Sequence, residues 1–344
     1  MELAELISRL SCLSGPSGFE TAARETAAEL LRPYVDELQT DAMGNLIGIK
    51  RCGKPYAQRL MLDAHLDEIG FLVTGIEDGF LRFANLGGVD PRMLPTREVQ
   101  VLTEPPVFGV ITTIPPEADS DSSADQALDP ERLLIDVGMG QDCAKARIPL
   151  GTPVVFASGC EQLNKTMICG KALDDRACVA ILIRTMEQLQ AAVLDVDLYC
   201  LISTQEEVGL RGAVTGTYAI VPDYAIAVDV THAHTPDAKR EKTLAMGEGA
   251  AIGVGPNMNR NLTNALIDLA EKAGIAHQIE VIAGHSGTNG WVIQTSRAGV
   301  STAVVSLPIK YMHTPVEVGS LCDAESIVEL LTQFIMQWGG VIHG

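Results

Sequence analysis

Four apolar runs of strand length each lead into an acid or a histidine, and this repeated arrangement constrains the fold more than any other feature of the chain. RLMLDA (59–64) precedes His65, and VDLYCLIS (196–203) leads to Glu206 and Glu207. YAIAV (224–228) precedes Asp229, and STAVVS (301–306) lies shortly before His313. In open α/β sheets, ligands bind outside the carboxyl ends of the strands. Such a fold gathers these carboxylates and imidazoles at one rim. Carboxylates crowded in one crevice repel each other unless cations sit among them. Two histidines with several Asp and Glu suit divalent zinc, cobalt or manganese.

The chain has 344 residues, enough to bury a sizeable core in one large domain or two. A formal net charge of -19 argues against nucleic acid or an anionic membrane as a partner. No run of apolar residues reaches the length of a transmembrane helix. The N-terminal MELAELISRL reads as an amphipathic helix without the basic region and apolar core of a signal peptide. Eight cysteines, scattered without a C-x-x-C pair, read as reduced, mostly buried thiols of a cytoplasmic protein.

Along the chain, SGPSG (14–18) is a turn, a helical pattern covers 19–31, and a strand pair spans 35–50. From about Gly70 to Phe156, short β-rich runs alternate with Gly and Pro, as in a small β-barrel or sandwich, with one short helix near Cys143. The polar run 115–125 reads as a surface loop. After Lys171 the α/β pattern returns. It predicts helices over 175–194, 261–274, 288–299 and 324–338, with strands ending near Val230 and over 278–282 and 302–307. The simplest architecture is an α/β domain formed by 1–67 and 157–344, interrupted by a β domain over 68–156.

Each motif has a chemical and an ordinary reading. Along a continuing strand His65 and Asp67 share a face, so Asp67 can hold the second ring nitrogen of a ligand histidine, or both are solvated charges at a strand end. In KALDDR (171–176), one Asp bridges two metals, or the pair caps a helix. Glu206 and Glu207 point differently, one suited to metal and the other to a proton, although helix N-termini also favour Glu. Asp229 at a buried strand end is costly unless paired or metal-bound. His313 lies in a proline-stiffened loop, as a ligand or as a structural residue. GHSGTNG (284–290) offers backbone amides to an oxygen ligand or simply makes a turn. His232 and His234 read as loop residues beside the site, and His277 and His343 as surface residues.

SGPSGFE (14–20), AHLDEIGF (64–71), KALDDR, QEEVGLRGA (205–213), VDVT (228–231) and YMHTPVE (311–317) occur together and in order. Through them the chain resembles the tetrahedral (TET) metallo-aminopeptidases, which include glutamyl aminopeptidases and cellulase M-like proteins, over essentially its whole length. The resemblance implies an α/β/α metallopeptidase domain with an inserted β-barrel, removal of N-terminal residues from peptides, and two divalent metal ions. Zinc or cobalt is favoured, with manganese as a third option. It implies His65 and Asp229 on one ion, Glu207 and His313 on the other, and Asp174 bridging. Glu206 would act as general base and acid, Asp67 would orient His65, and a cis peptide would precede Asp175. The inserted segment would build dimers and then a twelve-subunit tetrahedral particle. Two positions depart from the family pattern and are read as shaping the substrate pocket: Asn289 replaces the usual Asp of Gly-Thr-Asp, and His234 that of Asp-Thr-Pro. The nearest alternative is a metal-dependent deacylase or amidohydrolase acting on a non-peptide amide. A glycosidase needs two carboxylates but no paired metals. A non-catalytic assembly protein on the same fold would lose ligands first.

Overall fold

The computed structural model describes residues 1–113, 132–236 and 238–339. Helices α1 (Leu3–Ser11) and α2 (Thr21–Leu31) precede strands β1 (Glu37–Thr40), β2 (Leu46–Lys50) and β3 (Arg59–His65). Next come β4 (Gly70–Glu77), β5 (Phe80–Leu86), β6 (Glu98–Val101), β7 (Val107–Thr112), β8 (Leu134–Asp136), helix α3 (Gln141–Arg147) and β9 (Pro153–Phe156). The chain continues through β10 (Cys160–Gln162), β11 (Met167–Gly170), α4 (Leu173–Gln188), β12 (Asp197–Ser203), α5 (Arg211–Ile220) and β13 (Tyr224–His232). It closes with β14 (Ala250–Val254), α6 (Arg260–Ala273), β15 (His277–Val281), α7 (Gly290–Ile293), β16 (Ser301–Lys310), β17 (Glu317–Ser320) and α8 (Leu321–Met336).

One large mixed sheet runs β1-β2-β12-β3-β13-β16-β17-β11-β10, with β14 and β15 branching from β16. Its centre is the parallel set β12, β3, β13 and β16, the four apolar runs that precede the site residues. Along β3, Leu60, Leu62 and Ala64 enter a core shared with α1, α4, α6 and α8. Met61 enters a second core on the opposite face, with α5 and α7. Strand alternation then turns His65 to the Met61 side, and Asp229 to the side of Ala225 and Ala227 on β13. Asp229 is not the last residue of its strand, because β13 stays paired with β16 as far as His232 opposite Ile309. It is the pairing with β3 that ends, at Ala227 opposite Asp63. Beyond that point His65 and Asp229 flank the place where the two strands cease to bond.

Strands β4-β5-β8-β7-β6-β9 close into an antiparallel barrel rather than a sandwich. Its separate core includes Phe71, Val73, Val99, Val101, Ile135 and Val154. The run 115–125 and His343 lie outside the described residues.

Three expectations need correction. Helix α4 ends at Gln188 rather than near 194, since the chain turns there and brings Leu194 and Val196 into the core. The helix expected over 288–299 shrinks to Gly290–Ile293. There the Thr288 hydroxyl accepts the Gly290 amide, and Arg297 and Gly299 adopt left-handed conformations that end helical geometry. The cysteines are not mostly buried: Cys12, Cys143 and Cys322 are exposed, while only Cys160, Cys178 and Cys200 are buried. Among the described residues, no helix is long and apolar enough to cross a membrane.

Candidate metal centre

A cavity of about 640 Å³ opens at the carboxyl ends of the central strands. His65, Asp174, Glu206, Glu207, Asp229 and His313 all line it. Asp174 sits between the two imidazoles: its Oδ1 is 3.1 Å from His65 Nε2 and its Oδ2 is 3.3 Å from His313 Nε2. Glu207 Oε1 lies 3.5 Å from His313 Nε2, and Glu206 Oε2 lies 3.9 Å from His65 Nε2. Three overlapping sets bring ligand atoms within 4.8 Å of one another: His65 with Glu206 and Glu207, His65 with Asp175 and Asp229, and Asp174 with Glu207 and His313.

Buried acids hold this cluster from behind. Asp67 Oδ1 and Oδ2 accept the backbone amides of Glu206 and Glu207 at 2.9 and 3.1 Å, and Oδ2 also accepts the Ser17 hydroxyl at 2.5 Å. His65 Nδ1 lies 3.1 Å from the Asp67 carbonyl oxygen and 3.4 Å from its Oδ1. One buried carboxylate thus touches both the imidazole and the two-glutamate turn. Glu317, buried, accepts the amides of His313 at 2.9 Å and Asp174 at 3.1 Å. Asp175 Oδ2 accepts the His65 amide at 3.0 Å, and the Asp174–Asp175 peptide is cis. The SGPSG turn is fixed to the same corner, since the Gly15 amide donates to Glu68, which in turn pairs with Lys171 at 2.6 Å and Arg176 at 3.2 Å. From the barrel side, Gly88 approaches so closely that a Cβ there would lie 2.9 Å from His313 Nδ1.

The roles of Ser17, Glu317 and Gly88 were not read from the sequence. Ser17 and Glu317 fall inside motifs already singled out, so position in a motif was the available signal. Gly88 had none beyond the pair Gly87-Gly88 following β5. In GHSGTNG the Gly287, Thr288 and Gly290 amides bond to side chains within the loop, so these three are not offered to a ligand. Asn289 does not line the cavity; it is buried and donates to Asp63 at 2.8 Å and to Ser203 at 2.9 Å. His234 also stands apart, half-buried with Nδ1 3.4 Å from the Thr243 hydroxyl.

The electrostatics fit cations. Burial, opposed by His65 but reinforced by Asp229 and Glu207, pushes Glu206 up to about 9, and burial reinforced by Asp174 pushes Glu207 up to about 7. Asp229 is raised well above the carboxylate range by burial, with Asp174 adding to it. Burial pulls the His313 ring down, but Asp174 and Glu207 outweigh this and lift it to about 9. Burial opposes the charge on Asp174 too, yet His313 and His65 leave it below its usual value. Protons therefore occupy positions that divalent cations can take over, since metal binding requires deprotonated ligands. Asp175 Oδ1 is among the buried side-chain oxygens without a hydrogen-bond partner. No Lys or Arg lines the cavity among the described residues. Imidazole and carboxylate donors in this number suit zinc, cobalt or manganese.

The chain is similar to known aminopeptidases. The model of the M42 glutamyl aminopeptidase family matches residues 44–330. The lysyl aminopeptidase of Pyrococcus furiosus is 34% identical over 333 residues, which cover 95% of this chain and 94% of that protein. An aminopeptidase from the archaeon Desulfurococcus kamchatkensis has a TM-score of 0.91 and 35% identity, covering 99% of this chain and 98% of the other. The TET1 peptidase of Pyrococcus horikoshii, described as able to assemble into a tetrahedron or a large octahedral shell, has a TM-score of 0.85 and 31% identity. It covers 97% of this chain and 99% of its own. With a mixed α/β fold, a closed barrel and the ordered motifs in place, the chain belongs to the M42 glutamyl aminopeptidase family.

Proposed function

We propose that this chain is a dinuclear metal-dependent aminopeptidase that removes N-terminal residues from peptides. One observation carries the reading: the two oxygens of Asp174 face different histidines, 3.1 and 3.3 Å away. A carboxylate so placed suits a bridge between two ions. His65 and Asp229 would hold one, and Glu207 and His313 the other. Bound there, two divalent cations supply positive charge that polarises a carbonyl and makes water easier to deprotonate. Zinc or cobalt is the first choice and manganese the third.

Glu206 is the proton carrier. Its carboxylate lines the cavity without belonging to the five ligands, so it can take a proton from the attacking water and deliver it to the leaving amine. Asp67 positions the turn that carries Glu206 and Glu207 and contacts His65. Glu317 fixes the backbone of both Asp174 and His313. Metal analysis of two variants tests the scheme. Asp174→Ala should lose both ions, whereas His313→Ala should chiefly weaken one. Full occupancy of both sites in Asp174→Ala excludes the bridging role.

We also assign residues 1–67 and 157–344 to the catalytic domain and 68–156 to a barrel domain through which copies of the chain associate. Phe108 and Leu150, 55% and 67% exposed, give the barrel apolar surface for such contacts. The P. horikoshii relative, by its description, assembles into closed shells. A reducing, cytoplasmic setting matches the unpaired cysteines.

A further inference from the structure

We infer that the cavity selects peptides whose N-terminal residue has a neutral, apolar side chain of about leucine or methionine size, and disfavours lysyl and glutamyl termini. The inference rests on the hydrolytic reading above. It starts from what shares the cavity with the metal centre: apart from glycines, the remaining lining is Leu210, Val230, Met312 and His285. Leu210 caps the start of α5, Val230 follows Asp229 on β13, and Met312 precedes His313. Val230, next to Asp229 on the strand, turns its side chain into the main core, so the aliphatic side chains left to the cavity are Leu210 and Met312, from two different segments.

His285 adds a ring face. It stacks on Trp291 with ring centroids 4.5 Å apart and planes at 34°. Its Nδ1 accepts the Gly287 amide at 2.9 Å, which fixes the ring within the loop. The four carboxylates lining the cavity are matched by the charge of two divalent cations, which leaves no surplus for a lysine ammonium. Next to the cavity, beyond Met312, lies a groove bearing Asp90 and Arg92. These two form a two-pronged pair with each other, at 2.6 and 2.9 Å, so together they present no net charge to a substrate. A charged side chain entering this cavity would leave water without a partner, which is strongly unfavourable, whereas an aliphatic one would bury apolar surface.

The test uses the full-length, metal-loaded protein. A panel of leucyl, methionyl, alanyl, lysyl and glutamyl p-nitroanilides, with N-acetyl-leucyl p-nitroanilide as the blocked control, gives kcat/KM for each. Binding of free L-leucine, L-lysine and L-glutamate is measured beside it by calorimetry. Leucyl and methionyl substrates should exceed lysyl and glutamyl ones by about a hundredfold, the scale on which pocket contacts discriminate. In Leu210→Ala and Met312→Ala the advantage of leucyl over alanyl substrate should shrink. Lysyl or glutamyl substrates within tenfold of leucyl overturn the inference. If no p-nitroanilide is cleaved, the hydrolytic reading fails, and calorimetry still decides the selectivity. Leucine binding more tightly than lysine and glutamate supports the inference; equal or weaker binding overturns it.

Discussion

At the scale of single residues, the neighbours Glu206 and Glu207 are assigned different work, and the difference is measurable. Glu206→Gln should keep both metals and the fold while kcat falls by about a hundred- to ten-thousand-fold, the usual contribution of a general base. Glu207→Gln should lose metal, because a neutral amide is a poorer ligand. Metal content and turnover of both variants in one buffer decide this, and near-normal turnover of Glu206→Gln contradicts the mechanism. A pH effect follows from the raised values of His313, about 9, and Glu207, about 7. At neutral pH in the metal-free protein His313 is protonated and Glu207 about half so, and ions must displace those protons. Apparent metal affinity should therefore rise with pH up to about 9 and fall on acidification. Calorimetry in buffers of different ionisation enthalpy should detect proton release; release of none contradicts the account. The residues that face the cavity were legible in the sequence because each follows a strand-like run or stands in an acidic motif. Ser17 and Glu317 were not given roles, since Ser17 meets Asp67 50 residues away and Glu317 meets Asp174 143 residues away, contacts that no local pattern displays.

At the scale of elements, strands β3 and β13 position the centre by losing their pairing after Asp63 and Ala227. That feature is a matter of register between distant segments, so periodicity gave the strands but not the opening between them. Short strands without a long apolar run, such as β14 (AAIGV) and β17 (EVGS), also escaped notice. They acquire their identity from partners, β14 from β15 and β16, and β17 from β11 and β16. The connection after β5 has a direct consequence for the metal centre. Gly88 leaves no room for a side chain beside His313 Nδ1, so Gly88→Ala should push the imidazole away from Asp174 and Glu207. Metal affinity should drop by about 10- to 100-fold, as when the support of a ligand histidine is altered. Competition against a fluorescent chelator, with circular dichroism to verify the fold, measures this. Unchanged affinity in a folded variant would show that the loop does not set the ring's position.

At the scale of the whole molecule, a large sheet carries the candidate site while the barrel has a core of its own. The texture change near Gly70 and the return of helices after Lys171 made both parts visible in the sequence. Barrel closure was not visible, because it depends on which short strands meet. If the barrel joins copies of the chain, light scattering of the metal-bound protein should give a particle several times the mass of one chain; a monomer at micromolar concentration contradicts that. The central claim is that two divalent ions, held by five residues from across the sheet, power the removal of N-terminal residues. Metal-free protein should therefore be titrated with zinc, cobalt or manganese while hydrolysis of an unblocked aminoacyl p-nitroanilide and bound metal are followed together. The account predicts no turnover without metal, and full turnover only as occupancy approaches two ions per chain. Full turnover with no metal, or with one ion per chain, would contradict it.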